Sequence, residues 1–499
     1  MQLQIRTWKK GESRRKWFRS QCPKRTEKEK GGLLYARYDD GRSRSTGLSS
    51  SNLAGGDLIV VVVLILMYAV FKGANAILAC LLACMAICIC TGLPLVDTME
   101  NSVPESFAFQ ITFMFMKFLC CIILGQLYQN SGAALSVAHL AEKVVVGKST
   151  GTARKTRVVL CMLGIGLLFG IGGFDTFLAV FTLIPVGLNM WRDSDLPRHL
   201  LPGTLMGGLS AAACLPGTPL FANMMGKMFL GTEPTAARIP GYVGVAVMLA
   251  IDVVYIMHAV KKADKNGMHW DGEEAGIEMP PPTEKDKVHP VLALIPMLWI
   301  FITVTVLGLD MVVCMFFAII MCSILFANGL KPEGERLKLG TYNKVLGDGC
   351  TQTAGMMGFM GAQYAFAQVV IAAPGFDLLT GWFQKIPGPG YIGYSICAAI
   401  SGFFAGNAVA GMQMSAAIYT PLMDQLNMTA PAMHRIAAFA VSILDTIPIN
   451  GAVIATTTTC KLKMKQSYPT IAMTTVINVA IAMAVVVAMC IAFPWMCQN

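Results

Sequence analysis

Residues 170–186 read "GIGGFDTFLAVFTLIPV", an almost unbroken apolar run with one carboxylate, Asp175, near its start. A charge inside such a run is costly to bury, so it points to a partner or to a function. The surroundings extend the pattern. The 499-residue chain is 55% hydrophobic and 14% charged, longer and more apolar than a single soluble core requires. Apolar stretches near the length that a helix needs to cross a bilayer recur at 58–72, 74–93, 106–128, 158–172, 174–190, 241–260, 290–308, 310–327, 390–405, 407–423 and 470–494. With shorter pieces broken by Gly and Pro, they predict an all-α polytopic membrane protein of about 11 to 14 crossing or re-entrant segments.

Two polar segments punctuate the apolar chain. Residues 1–56 are basic ("WKKGESRRKWFRSQCPKRTEKEK", then the Ser/Gly-rich "GRSRSTGLSSSNLAGG") and lack the apolar core of a signal peptide. Glu12, Glu27, Glu29, Asp39 and Asp40 argue against a transit peptide, and a disordered tail is the expectation. The excess positive charge lies there and in short loops, the pattern of cytoplasmic flanks, so no nucleic-acid partner is expected. Residues 261–289, with mixed charge and three consecutive prolines, read as a linker between a first transmembrane half, 57–260, and a second, 290–499. Lys/Arg bias puts both the tail and the basic loop 147–157 in the cytoplasm, yet three expected spans separate them, an odd number. Both cannot be inside unless one span is re-entrant.

The two halves share an order of features. In the first, an apolar helix ends at "LIPV" (Pro185), the polar "WRDSDLPRH" follows, and another helix runs into the broken stretch "CLPGTPLFANMM", 214–225. In the second, a helix opening at "GNAVAG" ends at "YTPL" (Pro421), the polar "NMTAPAMHR" follows, and another helix runs into "LDTIPINGAVIATTTT", 444–459. Helices broken in mid-membrane leave backbone N–H groups that can meet an anion and carbonyls that can hold a cation, as a secondary transporter needs. Pro and Gly also merely kink helices, but two breaks in matching places favour a site. Thr218 and Asn450 supply side-chain donors after Pro216 and Pro448, while Gly217 and Gly451 permit close backbone approach. Asn223 and Thr446, with Gly406 and Asn407 at the start of the preceding helix, complete the expected substrate site; if the breaks are only kinks, the site is expected around Gly406, Asn407 and Gln413.

No other motif supplies chemistry. "EKVVVGKST", 142–150, ends like a phosphate-binding loop but has Glu142 where its first Gly belongs. No cofactor motif, zinc spacing, metal pair or nucleophile elbow is present. The 16 Cys and 33 Met read mainly as packing. An enzyme is therefore not expected, nor ATP-driven transport, and an ion gradient is the remaining drive. Asp175, Asp445 and Lys117 are the charges set deepest in apolar runs. Each Asp precedes a Thr beside flexible backbone and can exchange a coupling ion. An ion pair of Asp175 with Lys117 is the structural alternative. Asp252 and Asp310 read as interfacial. Arg198–His199 and His434–Arg435 fall in the polar loops before the breaks, as flank charges or as lures for an anion.

"GIGGFDTFLAVFTLIPVGLNM", "LPGTPLFANMM" followed by "GTEPTAA", and "HRIAAFAVSILDTIPINGAVI" resemble the gluconate permease (GntP) family of the ion transporter superfamily, in its carboxylate-permease branch. The resemblance spans residues 57–494; members of that family begin almost at their first helix, which implies that residues 1–56 derive from an upstream start and are absent from the native protein. It implies a proton-coupled symporter of a small organic carboxylate (gluconate, a related sugar acid or 3-hydroxybutyrate) in the plasma membrane, the inner membrane of a bacterium. The chain departs from relatives in two places: "LPGTPL" stands where gluconate permeases have "PPHPGP", and "IPINGAV" where the branch has "LPHNGAV". Both histidines are missing, at Gly217 or Thr218 and at Ile449, which leaves both substrate and coupling ion open; sodium coupling, anion exchange, a passive anion channel and a homo-oligomer are the alternatives carried alongside.

Overall fold

In a computed structural model of the chain, the described residues are parts of 58–69, 74–277 except 175, 288–331, 339–374, 376, 381, 386–448 except 406 and 407, and 450–497. Ser50–Asn499 forms one compact unit. The expected tail lies outside the described residues.

The described residues fold into helices and turns, with no strand among them. α1 (Ala76–Thr91) starts where Asn75 Oδ1 accepts from the backbone N–H groups of Ile77 and Leu78, and stops at Gly92, left-handed at φ 75°. α2 (Val103–Ser131) carries Pro104 in its first turn, where no helical hydrogen bond is lost. Then come α3 (Ala133–Ala141), α4 (Gly151–Ile171), α5 (Thr176–Asp193), α6 (Leu200–Cys214), α7 (Phe221–Leu230) and α8 (Arg238–Lys265). Beyond the linker lie α9 (Pro290–Ile300), α10 (Met311–Leu325), α11 (Leu339–Ala372), α12 (Gly390–Ala405) and α13 (Ala408–Tyr419). α14 (Ala430–Asp445), α15 (Gly451–Thr459), α16 (Met464–Ala472) and α17 (Asn478–Ala492) close the chain. A π-helical turn, Met473–Ile477, joins α16 to α17 as one long span.

Three described helices are long and apolar enough to cross a membrane alone: α8, α11 and the α16–α17 span. A fourth candidate, Leu95–Ser131, bends by 50°. Val313, Phe317, Ile320 and Ile324 of α10 form an exposed apolar stripe at helical spacing, suited to hydrocarbon as solvent. The chain is an all-α polytopic membrane protein.

α11 is absent from the spans expected from sequence, because Gly, Thr and Gln dilute its hydropathy. The fold supplies the reason: 61% of its most apolar window is buried in protein, against 33% and 39% for α8 and the α16–α17 span. A helix shielded from lipid can trade apolar side chains for small ones that let neighbours close in. Gly349 lies against Ile123 and Gly361 against Phe107, both on α2, and Gln126 pairs with Gln352 at 2.9 Å. A second departure is Pro185. It sits inside α5 rather than ending it, since one lost backbone bond bends a packed helix without stopping it.

Helix pairings recur across the linker. α4 packs on α6 as α12 packs on α14, and α1 meets α11 as α10 meets α2. The short helices beyond the breaks cross over: α7 packs on α13 and α14, and α15 packs on α5. Each part of the chain thus holds the broken helix of the other.

Candidate functional site

The first break, Leu215–Leu220, separates α6 from α7. Gly217 is left-handed there at φ 87°, a conformation that glycine alone adopts freely, and its N–H donates to Pro234 O at 3.1 Å. The buried Thr218 hydroxyl faces the carbonyls of Ala212 and Leu215 at 2.9 and 3.0 Å. Asn223, one residue triplet into α7 and fully buried, donates Nδ2 to Leu215 O and to Thr218 Oγ1, each at 2.8 Å. Thr218 and Asn223 therefore satisfy the carbonyls of Ala212 and Leu215 that the interrupted helix exposes.

The second break, 446–450, separates α14 from α15. Asn450 caps α15, its Oδ1 accepting from the N–H groups of Ala452 and Val453 at 2.7 and 3.4 Å. Gly451 opens that helix. The Thr446 hydroxyl pairs with Thr475 in the π-turn at 2.7 Å, so the break is tied to the α16–α17 span. Gly217, Thr218 and Asn223 lie together, as do Thr446, Asn450 and Gly451. Gly406, Asn407 and Asp175 lie outside the described residues, and Asp445 is located only as the end of α14. Gln413 is buried on α13, and Lys117 is half-buried on α2.

The two basic pairs are not loop charges. α14 starts at Ala430 with Pro431 in its first turn, so His434 and Arg435 are helical and fully buried. Arg435 reaches across to the first break. Nε donates to Ala236 O (3.0 Å), Nη1 to Asn223 Oδ1 (2.7 Å) and Cys214 O (3.2 Å), and Nη2 to Ala236 O (2.8 Å) and Pro234 O (3.0 Å). All its N–H groups are used, on acceptors that are formally neutral, and among the described residues no carboxylate pairs with it. His434 Nδ1 lies 2.8 Å from Thr232 Oγ1, against Gly226, where a Cβ would come within 2.3 Å of the ring.

Arg198 makes the reciprocal contact. It is buried, forks onto Asp271 (Nε to Oδ1 2.8 Å, Nη2 to Oδ2 2.9 Å), and donates Nη1 to Cys460 O and Lys461 O beyond α15. Burial opposes ionisation of Asp271, but the side-chain and backbone hydrogen bonds of Arg198 outweigh it and hold the carboxyl below its ordinary range. Asp195, in turn, accepts from Trp270 N at 3.0 Å. The linker residues before 278 are therefore docked rather than free.

Asp252 overturns the interfacial expectation. α8 runs to Lys265, beyond the apolar stretch, so Asp252 falls at mid-helix and is fully buried. Its Oδ1 accepts from Asn478 Nδ2 at 2.8 Å.

No family model matches the chain. It is 25% identical over 467 residues to the uncharacterized transporter YxjC of Bacillus subtilis (strain 168), across 86% of this chain and 97% of that protein. It resembles a transporter almost end to end. Among solved structures, the Alcanivorax borkumensis YdaH transporter covers 89% of this chain and all of its own, at a TM-score of 0.49 and 13% identity.

Proposed function

We propose that this chain is an ion-coupled secondary transporter, a proton symporter, that carries a small organic carboxylate such as gluconate, a related sugar acid or 3-hydroxybutyrate. The similarity to a transporter along nearly the whole chain supports the transporter role. The observation that carries the mechanism is the pair of helix breaks whose short helices pack on the opposite part of the chain, with buried Arg435 reaching the first break itself and buried Arg198 holding the far end of α15. Such crossed half-helices let one part move against the other around a fixed site. The sequence motifs shared with gluconate permeases support a carboxylate.

In this reading the substrate sits between the breaks, near Gly217, Thr218 and Asn223 on one side and Thr446, Asn450 and Gly451 on the other. The buried cation of Arg435 biases the first break toward an anion even though its donors are taken. Proteoliposomes loaded with purified protein should accumulate a labelled carboxylate from a panel only when an inward pH gradient is imposed. Accumulation driven by a sodium gradient alone overturns proton coupling. Equilibration without accumulation under either gradient identifies a channel or an exchanger instead.

A further inference from the structure

Asp252 and Asn478 leave two acceptors unmatched between α8 and the start of α17. Both residues are 0% exposed, and beside the Asn478 Nδ2 to Asp252 Oδ1 bond, Oδ2 of Asp252 and Oδ1 of Asn478 have no hydrogen-bond partner. Two orphaned buried oxygens on one hydrogen-bonded pair are costly together and call for a donor. Neighbouring side chains do not supply it. The Thr474 hydroxyl donates to Gly203 O at 2.7 Å, and Gly207 presents a bare backbone face, where an added Cβ would lie 3.2 Å from Oδ2.

Charge is equally scarce around the pair. Among the elements packed on α8, the π-turn carries no titratable residue, and α6, α17 and the C-terminal turn 494–497 carry only the thiols of Cys214, Cys490 and Cys497, as α4 carries that of Cys161. Arg154, Lys155 and Arg157 lie in the first two turns of α4, and His434 and Arg435 of α14 are engaged at the first break. Tyr255 and His258 follow on α8 itself, one to two turns further along. Lys465, in the first turn of α16, is 13 residues from Asn478, about 20 Å along a helix.

We propose that Asp252 and Asn478 form the proton-binding site of this protein: a proton on Oδ2 of Asp252 donates to Oδ1 of Asn478 and closes the two-bond ring of a carboxylic acid with a primary amide. One proton then satisfies both orphaned oxygens and leaves the pair neutral. Release breaks the Oδ2–H bond, leaves its electron pair on the carboxylate and hands the proton to water. The resulting buried anion keeps one bond and favours opening of the packing between α8 and the π-turn. That turn joins the site to the second break, because Thr475, three residues before Asn478, touches Thr446. π-Turns recur at working sites of helices. The coupling role rests on the transporter reading; the bound proton does not.

Infrared spectra of the full-length protein in liposomes separate the two. A carbonyl band of a protonated carboxylic acid is expected in the wild type at neutral pH, absent in Asp252→Asn and retained in Asp445→Asn and Asp175→Asn. Asn478→Leu should shift the band, because the acid loses its amide partner. Raising the pH should bleach the wild-type band, a readout that holds if Asp252→Asn fails to fold. A band unaffected by Asp252→Asn, or its absence at every pH, overturns the proposal, as does thermal stabilisation by sodium chloride that Asp252→Asn abolishes. With labelled gluconate and 3-hydroxybutyrate, Asp252→Asn should lose accumulation driven by a pH gradient and keep exchange across the membrane. A wild type that moves neither probe while showing the band defeats the transport reading and leaves the proton site standing.

Discussion

Arg435 holds an interrupted helix together with a planar fork, and a lysine cannot imitate it. Five N–H donors reach five acceptor contacts at the first break; an ammonium has three donors in a different geometry. Each hydrogen bond from a charged donor is worth about 1.5–3 kcal/mol, so Arg435→Lys should lower stability by about 3 kcal/mol or more. Thermal unfolding in detergent checks this, and an unchanged midpoint refutes it. At the second break the residue to change is Asn450. Asn450→Leu removes the α15 cap at a cost of about 0.5–2 kcal/mol, which confounds any loss of substrate affinity. Asn450→Asp keeps the capping oxygen and adds a negative charge beside the proposed anion. It should leave the unfolding midpoint near that of the wild type and weaken carboxylate binding tenfold or more; unchanged affinity would move the substrate away from this break. The residue types at the breaks were legible in sequence, since Pro and Gly punctuate both. Their partners were not. "NMTAPAMHR" reads as polar loop only when its helix-start signal, Thr429 followed by Pro431, is passed over, and Asp252 reads as interfacial because α8 continues past the apolar stretch to Lys265.

Close packing, more than hydropathy, decides how the elements sit. α4 and α6 touch through glycines: an added Cβ at Gly208 would lie 2.2 Å from the Leu163 carbonyl oxygen, and one at Gly166 would lie 2.7 Å from that of Leu205. No rotamer change relieves a clash with backbone. Gly208→Ala should therefore separate the two helices and abolish monodisperse folded protein on size exclusion, whereas Gly164→Ala, with open space around its Cβ position, should not. Normal folding of Gly208→Ala would mean that the α4–α6 contact is looser than described. The same logic explains why most spans were visible in sequence and α11 was not. Hydropathy marks helices that face lipid, and a helix wrapped by α1 and α2 has small residues where others have Leu and Ile.

Across the molecule, the docked linker adds a clamp that pH can loosen. Asp271 has a carboxyl held below its ordinary range by Arg198, so its contribution to stability is complete above the unfolded-state pKa and is lost as pH falls through the folded-state value. The wild type should unfold progressively more easily on acidification below the usual carboxylate range. Asp271→Asn should begin less stable at neutral pH and show a shallower acid decline; parallel curves would assign the acid sensitivity to other carboxylates. The crossed arrangement of the breaks also bears on how the protein is made. Asn223 meets Arg435 across 212 residues of chain, so α7 enters the membrane long before its anchor is synthesised. Throughout that interval the nascent first part lacks the donor to Cys214 O, Ala236 O and Asn223 Oδ1, which makes it a target for insertion chaperones and membrane proteases. A chain stopped just before α14 should be degraded rapidly in cells, and co-expression of the missing C-terminal piece should rescue it.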